Sequence, residues 1–142
     1  MERIGRIIHH LAILNRNDSN QRLKENGITS NEGPDLMFLS RLSKVYQEEL
    51  IKELQIDKSA VTRLLQNMEN KGLIKRIQSP VDKRFYLLEM TALGQEKQQI
   101  VDQTFAKKDF ILVSGLSEKE QEELRRMLDV IQTNLKGGKI NE

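Results

Sequence analysis

The 142-residue chain has no cysteine and no tryptophan, only two prolines and two histidines, and six aromatic rings of Phe and Tyr. Without cysteine there can be no disulfide, no thiolate metal ligand and no thiol switch for peroxides. His9 and His10 are adjacent, so on a helix they point about 100° apart and cannot clamp one ion together. No metal and no cofactor is therefore expected. A glycine-rich phosphate loop, a nucleophile motif and a working pair of carboxylates are all missing, so an enzyme is not expected. No apolar run approaches the length of a membrane span. The opening Met1-Glu-Arg-Ile-Gly-Arg lacks the apolar core and small-residue cleavage site of a signal peptide, so the cytoplasm is the expected address.

What is present is a helix-forming composition, 37% hydrophobic and 31% charged, in a length that suits one domain over 1–142. The net charge of +2 says little, but its distribution is uneven. Residues 55–91 carry seven basic side chains (Lys58, Arg63, Lys71, Lys75, Arg76, Lys83, Arg84) against four acids, a net of +3. A basic segment on a near-neutral body suits contact with phosphate, although a charged surface alone is common.

Apolar spacing predicts the elements. Ile4, Ile7, Ile8, Leu11 and Leu14 form one stripe of a helix over about 2–26, with Gly27 as its left-handed terminator and Leu23 and Ile28 flanking the ending. Thr29 or Ser30 is placed to cap a second helix that buries Leu36, Phe38, Leu39 and Leu42. Lys44-Val45-Tyr46 reads as a short strand, and 47–54 as a short helix burying Leu50, Ile51 and Leu54. After a turn at Gln55-Ile56, Asp57 caps a fourth helix that runs to Lys71 and ends at Gly72. Leu73–Gln78 and Arg84–Met90 are strand-forming, and Ser79-Pro-Val-Asp-Lys83 between them carries turn chemistry, which makes a hairpin. Thr91 caps a helix over about 92–113. Ser117-Glu-Lys-Glu120 is a capping box ahead of a last helix with Leu124, Met127, Leu128, Ile131 and Leu135 on one stripe and Gly137-Gly138 at its end. Met37, Met68, Met90 and Met127 sit at core spacing. The fold class is mainly α with a small β-wing.

Helix, short turn, helix and hairpin is the order of a winged helix-turn-helix, whose second helix lies in the major groove of duplex DNA. In that helix Val61, Leu64, Leu65 and Met68 make the buried stripe. The opposite face carries Ser59, Arg63, Gln66 and Asn70, flanked by Thr62 and Asn67, and holds no acid. Hydroxyl, amide and guanidinium groups read base edges and phosphates, but a solvated polar face looks the same in isolation.

The stretch Glu48-Glu-Leu-Ile-Lys-Glu-Leu-Gln-Ile-Asp-Lys-Ser-Ala-Val-Thr-Arg-Leu64 resembles the helix-turn-helix of MarR-type regulators. The segments Asn67-Met-Glu-Asn-Lys-Gly-Leu-Ile-Lys-Arg76, Ser79-Pro-Val-Asp-Lys-Arg84 and Met90-Thr91 extend the likeness over about 45 residues. The resemblance implies a winged helix-turn-helix lobe at 29–91 between dimerisation helices at 1–28 and 92–142. It implies a homodimer, acting as a sequence-specific regulator of transcription, as a repressor, on pseudo-palindromic double-stranded DNA. Ser59, Ala60, Thr62, Arg63, Gln66 and Asn67 would face the major groove. Arg84 would enter the minor groove, held by Asp82 through a charge-assisted bond if that stretch is extended. Lys58 and Lys83 would add positive charge beside them. A winged helix that binds protein is the competing reading, and basic groups at both groove-facing positions argue against it. Two residues depart from the family pattern: Ile51 where a small residue is usual, and Gln55 where the turn usually has glycine. Relatives bind small organic ligands between the dimer helices and the lobe, which makes such a ligand the expected effector; few aromatic rings are available here to stack a phenolic one.

Overall fold

The computed structural model describes residues 1–42, 44–54 and 56–137. Gln55 and Gly138, both named above, lie outside the described residues. The chain divides into two compact units, Met1–Phe105 and Ala106–Glu142.

In the first unit α1 (Ile4–Leu23) continues unbroken through its polar middle and then tightens into a 3-10 turn at Lys24–Asn26. The single helix expected over 2–26 is thus two pieces, and the reason is local. Gly27 is left-handed (φ +68), its N–H donates to Lys24 O (3.1 Å), and the Ile28 N–H donates to Leu23 O (3.4 Å). This bond pair satisfies the last carbonyls and draws Leu23 and Ile28 into the core. The same ending recurs at Gly72 (φ +73), where Gly72 N–H donates to Glu69 O and Leu73 N–H to Met68 O.

α2 (Glu32–Ser40) starts from a full capping box. Thr29 Oγ1 accepts the Glu32 N–H (3.3 Å), and Glu32 Oε1 accepts the Thr29 N–H (2.9 Å). Leu36 and Leu39 are buried. The chain leaves the helix after Ser40, so Leu42, expected inside, is 44% exposed. Then follow β1 (Val45–Tyr46), α3 (Gln47–Leu54), α4 (Lys58–Asn70), β2 (Ile74–Gln78), β3 (Tyr86–Met90) and α5 (Ala92–Leu112). The strands form one antiparallel sheet in the order β1-β3-β2, with Val45 opposite Leu88 and Gln78 opposite Tyr86. Leu36, Leu50, Val61, Leu65, Met68 and Leu88 meet in the core beneath it. Ile51 and Leu54 pack half-buried against that core, so the bulkier Ile51 is accommodated.

The junction of α4, β3 and α5 leaves no spare room. Thr91 N–H donates to Leu73 O, Thr91 Oγ1 donates to Gly72 O (2.5 Å), and the same oxygen accepts the Gly94 N–H (3.0 Å). A Cβ on Gly94 would collide with Leu73 O and lie 2.6 Å from Met90 Cγ. Moving that carbonyl means losing its bond from Thr91. Gly94→Ala is therefore expected to destabilise the protein by roughly 1–3 kcal/mol. Urea unfolding checks this, and an unchanged midpoint would contradict the packing described.

In the second unit the remainder of α5 leads through Gly115 (φ +91) to α6 (Glu118–Gly137). Its capping box forms as expected: Ser117 N–H donates to Glu120 Oε2 (2.8 Å) and Glu120 N–H to Ser117 Oγ (3.2 Å). The apolar stripe of α6 is largely open to solvent. Met127, assigned above to the core, is 44% exposed and Leu135 75% exposed, because spacing identifies a face without saying what covers it. Ile4, Leu11 and Leu14 of α1 are likewise exposed. Among the described residues, no helix is long and apolar enough to cross a membrane.

Candidate nucleic-acid interface

α4 is fixed at both ends and along one side. Asp57 Oδ2 accepts the N–H groups of Ser59 (3.2 Å) and Ala60 (3.3 Å), which satisfies two donors of the first turn. Val61, Leu65 and Met68 are fully buried and Gly72 closes the other end. That leaves Lys58, Ser59, Thr62, Arg63, Gln66, Asn67 and Asn70 exposed, with Ala60 half-buried at the edge of the face. The face is partly organised already. Thr62 Oγ1 donates back to Lys58 O (2.9 Å), so this side chain offers acceptor lone pairs and a methyl, not a donor. Gln66 Nε2 donates to Asn70 Oδ1 (3.1 Å) and to Glu69 Oε1 (3.5 Å), which leaves the Gln66 carbonyl oxygen as the acceptor this side chain has to offer.

The hairpin loop is built around two side chains. Ser79, which is buried, accepts the N–H groups of Val81 (3.3 Å) and Asp82 (3.4 Å) on its Oγ. Gln78 Nε2 donates to Lys83 O (2.8 Å) across the loop. Asp82 and Arg84 pair as expected, but not in an extended strand. The Phe85 N–H donates to Asp82 O and the Arg84 N–H to Asp82 Oδ1 (3.0 Å), so a turn stabilised by the aspartate brings the two together. Arg84 Nη2 then donates to Asp82 Oδ2 (2.7 Å) and Nε to Oδ1 (3.1 Å). The Arg84 guanidinium, and secondarily its backbone N–H, hold the Asp82 carboxyl below the usual carboxylate range. The carboxylate in turn raises Arg84. Arg84 stays 83% exposed, and Nη1 is uncommitted among the described residues. Lys83 is exposed beside it. Arg76 on β2 stacks on Tyr86 (4.7 Å to the ring centre) and donates to Gln47 Oε1 (3.0 Å), which braces the hairpin against α3.

Next to α4 lies an open cleft of about 1160 Å³. It is lined by Arg16, Asn20 and Lys24, by Thr29–Glu32, and by Ala60, Arg63, Asn67 and Lys71. The predicted residues thus fall into two groups, Lys58–Asn67 on α4 and Asp82–Arg84 on the loop. Sequence reasoning missed Ser79 as the organiser of the loop and Glu32 as a buried acid lining the cleft. The pattern Thr29-Ser-Asn-Glu32 signalled the second, since it is a capping box in sequence. His9 and His10 are exposed, and among the described residues no group of three or more His, Asp or Glu side chains could hold a metal.

Comparison with known proteins gives a consistent result. A family model described as "MarR family" matches residues 26–84. The HTH-type transcriptional regulator MgrA of Staphylococcus aureus is 32% identical over 117 residues, 81% of this chain and 77% of MgrA. YdgJ of Bacillus subtilis, also named an HTH-type transcriptional regulator, is 30% identical over 105 residues, 74% of this chain. The match spans 62% of YdgJ, so this chain covers less than two thirds of that relative's length. Among solved structures, a crystal structure of MepR from S. aureus in complex with DNA superposes with a TM-score of 0.89. It is 25% identical, over 94% of this chain and 99% of that one.

Proposed function

This chain belongs to the MarR family, and from that premise we propose that it is a sequence-specific regulator of transcription. In this reading it binds double-stranded DNA in the cytoplasm as a homodimer on pseudo-palindromic sites. It acts as a repressor, from which a small organic ligand releases the DNA. The chain is one MarR-like unit of function, with 29–91 as the DNA-binding lobe and 1–28 and 92–142 as the dimerisation helices.

The observation that carries the reading is the exposed face of α4. Its one neighbouring acid, Glu69, lies at the flank against Gln66 (3.5 Å), and Ser59, Thr62, Arg63, Gln66 and Asn67 supply the donors and acceptors that base edges in the major groove require. Ala60 offers a small apolar contact for a thymine methyl. Lys58 and Lys83 supply phosphate contacts. Arg84 is oriented by Asp82 for the minor groove, where a guanidinium is drawn by the strong negative potential of narrow A·T-rich DNA. The exposed apolar faces of α1 and α6 support a two-fold interface between copies, since closed symmetry buries the same patch on both partners. The cleft beside α4 supports the ligand reading: an occupant there would touch Arg63 and Asn67, and it needs to prefer only the DNA-free arrangement.

Sedimentation tests the reading. The protein alone is expected to run as a dimer at micromolar concentration. In low salt it is expected to carry a labelled duplex with it, releasing it steeply as salt rises. A monomer would overturn the dimer, and salt-independent behaviour would overturn the phosphate contacts.

A further inference from the structure

In the first unit a buried acid reaches the end of α4. Glu32 has a side chain only 2% exposed, and its Oε2 has no hydrogen-bond partner among the described residues. Its Oε1 accepts from Lys71 Nζ at 2.6 Å, and Lys71 Nζ also donates to Gly27 O at 2.8 Å. Lys71 is the capping residue at the C-terminal end of α4. Glu32 and Gly27 belong to the corner between α1 and α2, 39 and 44 residues away in sequence. A desolvated carboxylate without a positive partner is strongly unfavourable, so Lys71 cannot leave this position freely.

The phase of the helix gives the contact its consequence. Arg63, Asn67 and Lys71 are spaced i, i+4, i+8 and line the same side of α4, toward the cleft. Val61, Leu65 and Met68 set the buried side of α4, and holding Lys71 adds a further fixed point on the side whose residues are to read bases. Phosphate contacts tolerate a small roll of the helix, whereas bidentate contacts to base edges do not. Resting on the DNA-binding reading given above, we infer that Glu32 is a positioning residue. Through Lys71 it holds α4 in one rotational setting against the α1–α2 corner, and in this way sets discrimination between specific and random DNA.

Glu32→Gln isolates this role. Glutamine keeps the oxygen that accepts from both Thr29 N–H and Lys71, so the start of α2 is retained, but the charge that holds Lys71 there is lost. No cation is removed and no negative charge is gained overall, so attraction to phosphate cannot fall. The ratio of specific to random-duplex affinity is expected to drop roughly tenfold, with random-duplex affinity and salt slope retained. Lys71→Arg is expected to keep most of the ratio. A second readout needs no DNA. The chain has no cysteine, so Gln21→Cys with Asn70→Cys takes spin labels at those two positions only. The distance distribution, read with unlabelled protein in excess, should be narrow with Glu32 and broad with Glu32→Gln. An unchanged distribution, or an unchanged ratio, overturns the positioning role. A protein with Glu32 intact that fails to discriminate between duplexes overturns the DNA-binding reading instead, before any variant is compared.

Discussion

Replacing Asp35 by asparagine is expected to change the pH dependence of stability more than any other single substitution in this chain. Asp35 sits in the first turn of α2, fully buried, and neither carboxyl oxygen has a hydrogen-bond partner among the described residues. Burial, and then the neighbouring charge of Glu32, push its pKa from 3.8 up to about 7. The folded state therefore holds this proton more tightly than the unfolded chain. The stabilisation is fully present below pH 3.8, is lost as pH rises toward 7, and does not return above it. At 1.36 kcal/mol per pKa unit, the loss between pH 4 and pH 8 is up to about 4 kcal/mol. Asparagine keeps the shape and does not titrate. The burial penalty of its amide is the same at every pH, so the difference between variant and wild type isolates the Asp35 proton. Urea unfolding at several pH values should show that difference growing in favour of the variant from pH 4 to pH 8. Parallel curves would show that Asp35 is not held neutral in the fold.

The second large effect concerns the two arginines. Arg63→Ala is expected to weaken specific binding by roughly 2 kcal/mol and relax base preference at one position per half-site, as for loss of a bidentate contact to guanine. Arg84→Ala is expected to weaken binding through the minor groove by a similar amount, roughly 2 kcal/mol, and to lower the salt slope by about one unit. The residues sit on different elements, α4 and the hairpin loop, with no shared partner among the described residues. Their effects should then add, to roughly 4 kcal/mol or on the order of a thousandfold in the double variant. Titration of a fluorescent duplex at two salt concentrations measures both the affinity and the slope. If the double variant binds like the wild type, neither arginine meets DNA as assigned.

Local chemistry was legible in the sequence wherever it is complete within a few residues. Asp57 and Ser117–Glu120 cap the helices they precede, and Gly27 and Gly72 end theirs, because each motif satisfies its own backbone donors and acceptors. The pairing of Asp82 with Arg84 was legible as chemistry but not as geometry: a turn, not a strand, joins them. The order of elements and the polar face of α4 followed from periodicity. Burial did not. Asp35 reads in sequence as an ordinary first-turn acid beside a helix N-terminus, and only the packing of α2 removes it from water. Leu42 and Met127 fail in the opposite direction, since periodicity knows neither where a helix stops nor what lies over its apolar face. The Glu32–Lys71 contact joins residues 39 apart and has no local signature at all.

The most direct test of the central claim is selection of bound duplexes from a random library by the full chain. One pseudo-palindrome should be enriched, with half-sites one helical turn apart, about 10 base pairs from centre to centre, and an A·T-rich minor groove flanking each. Recovery of duplexes with no shared sequence, bound no more tightly than the starting library, would contradict it.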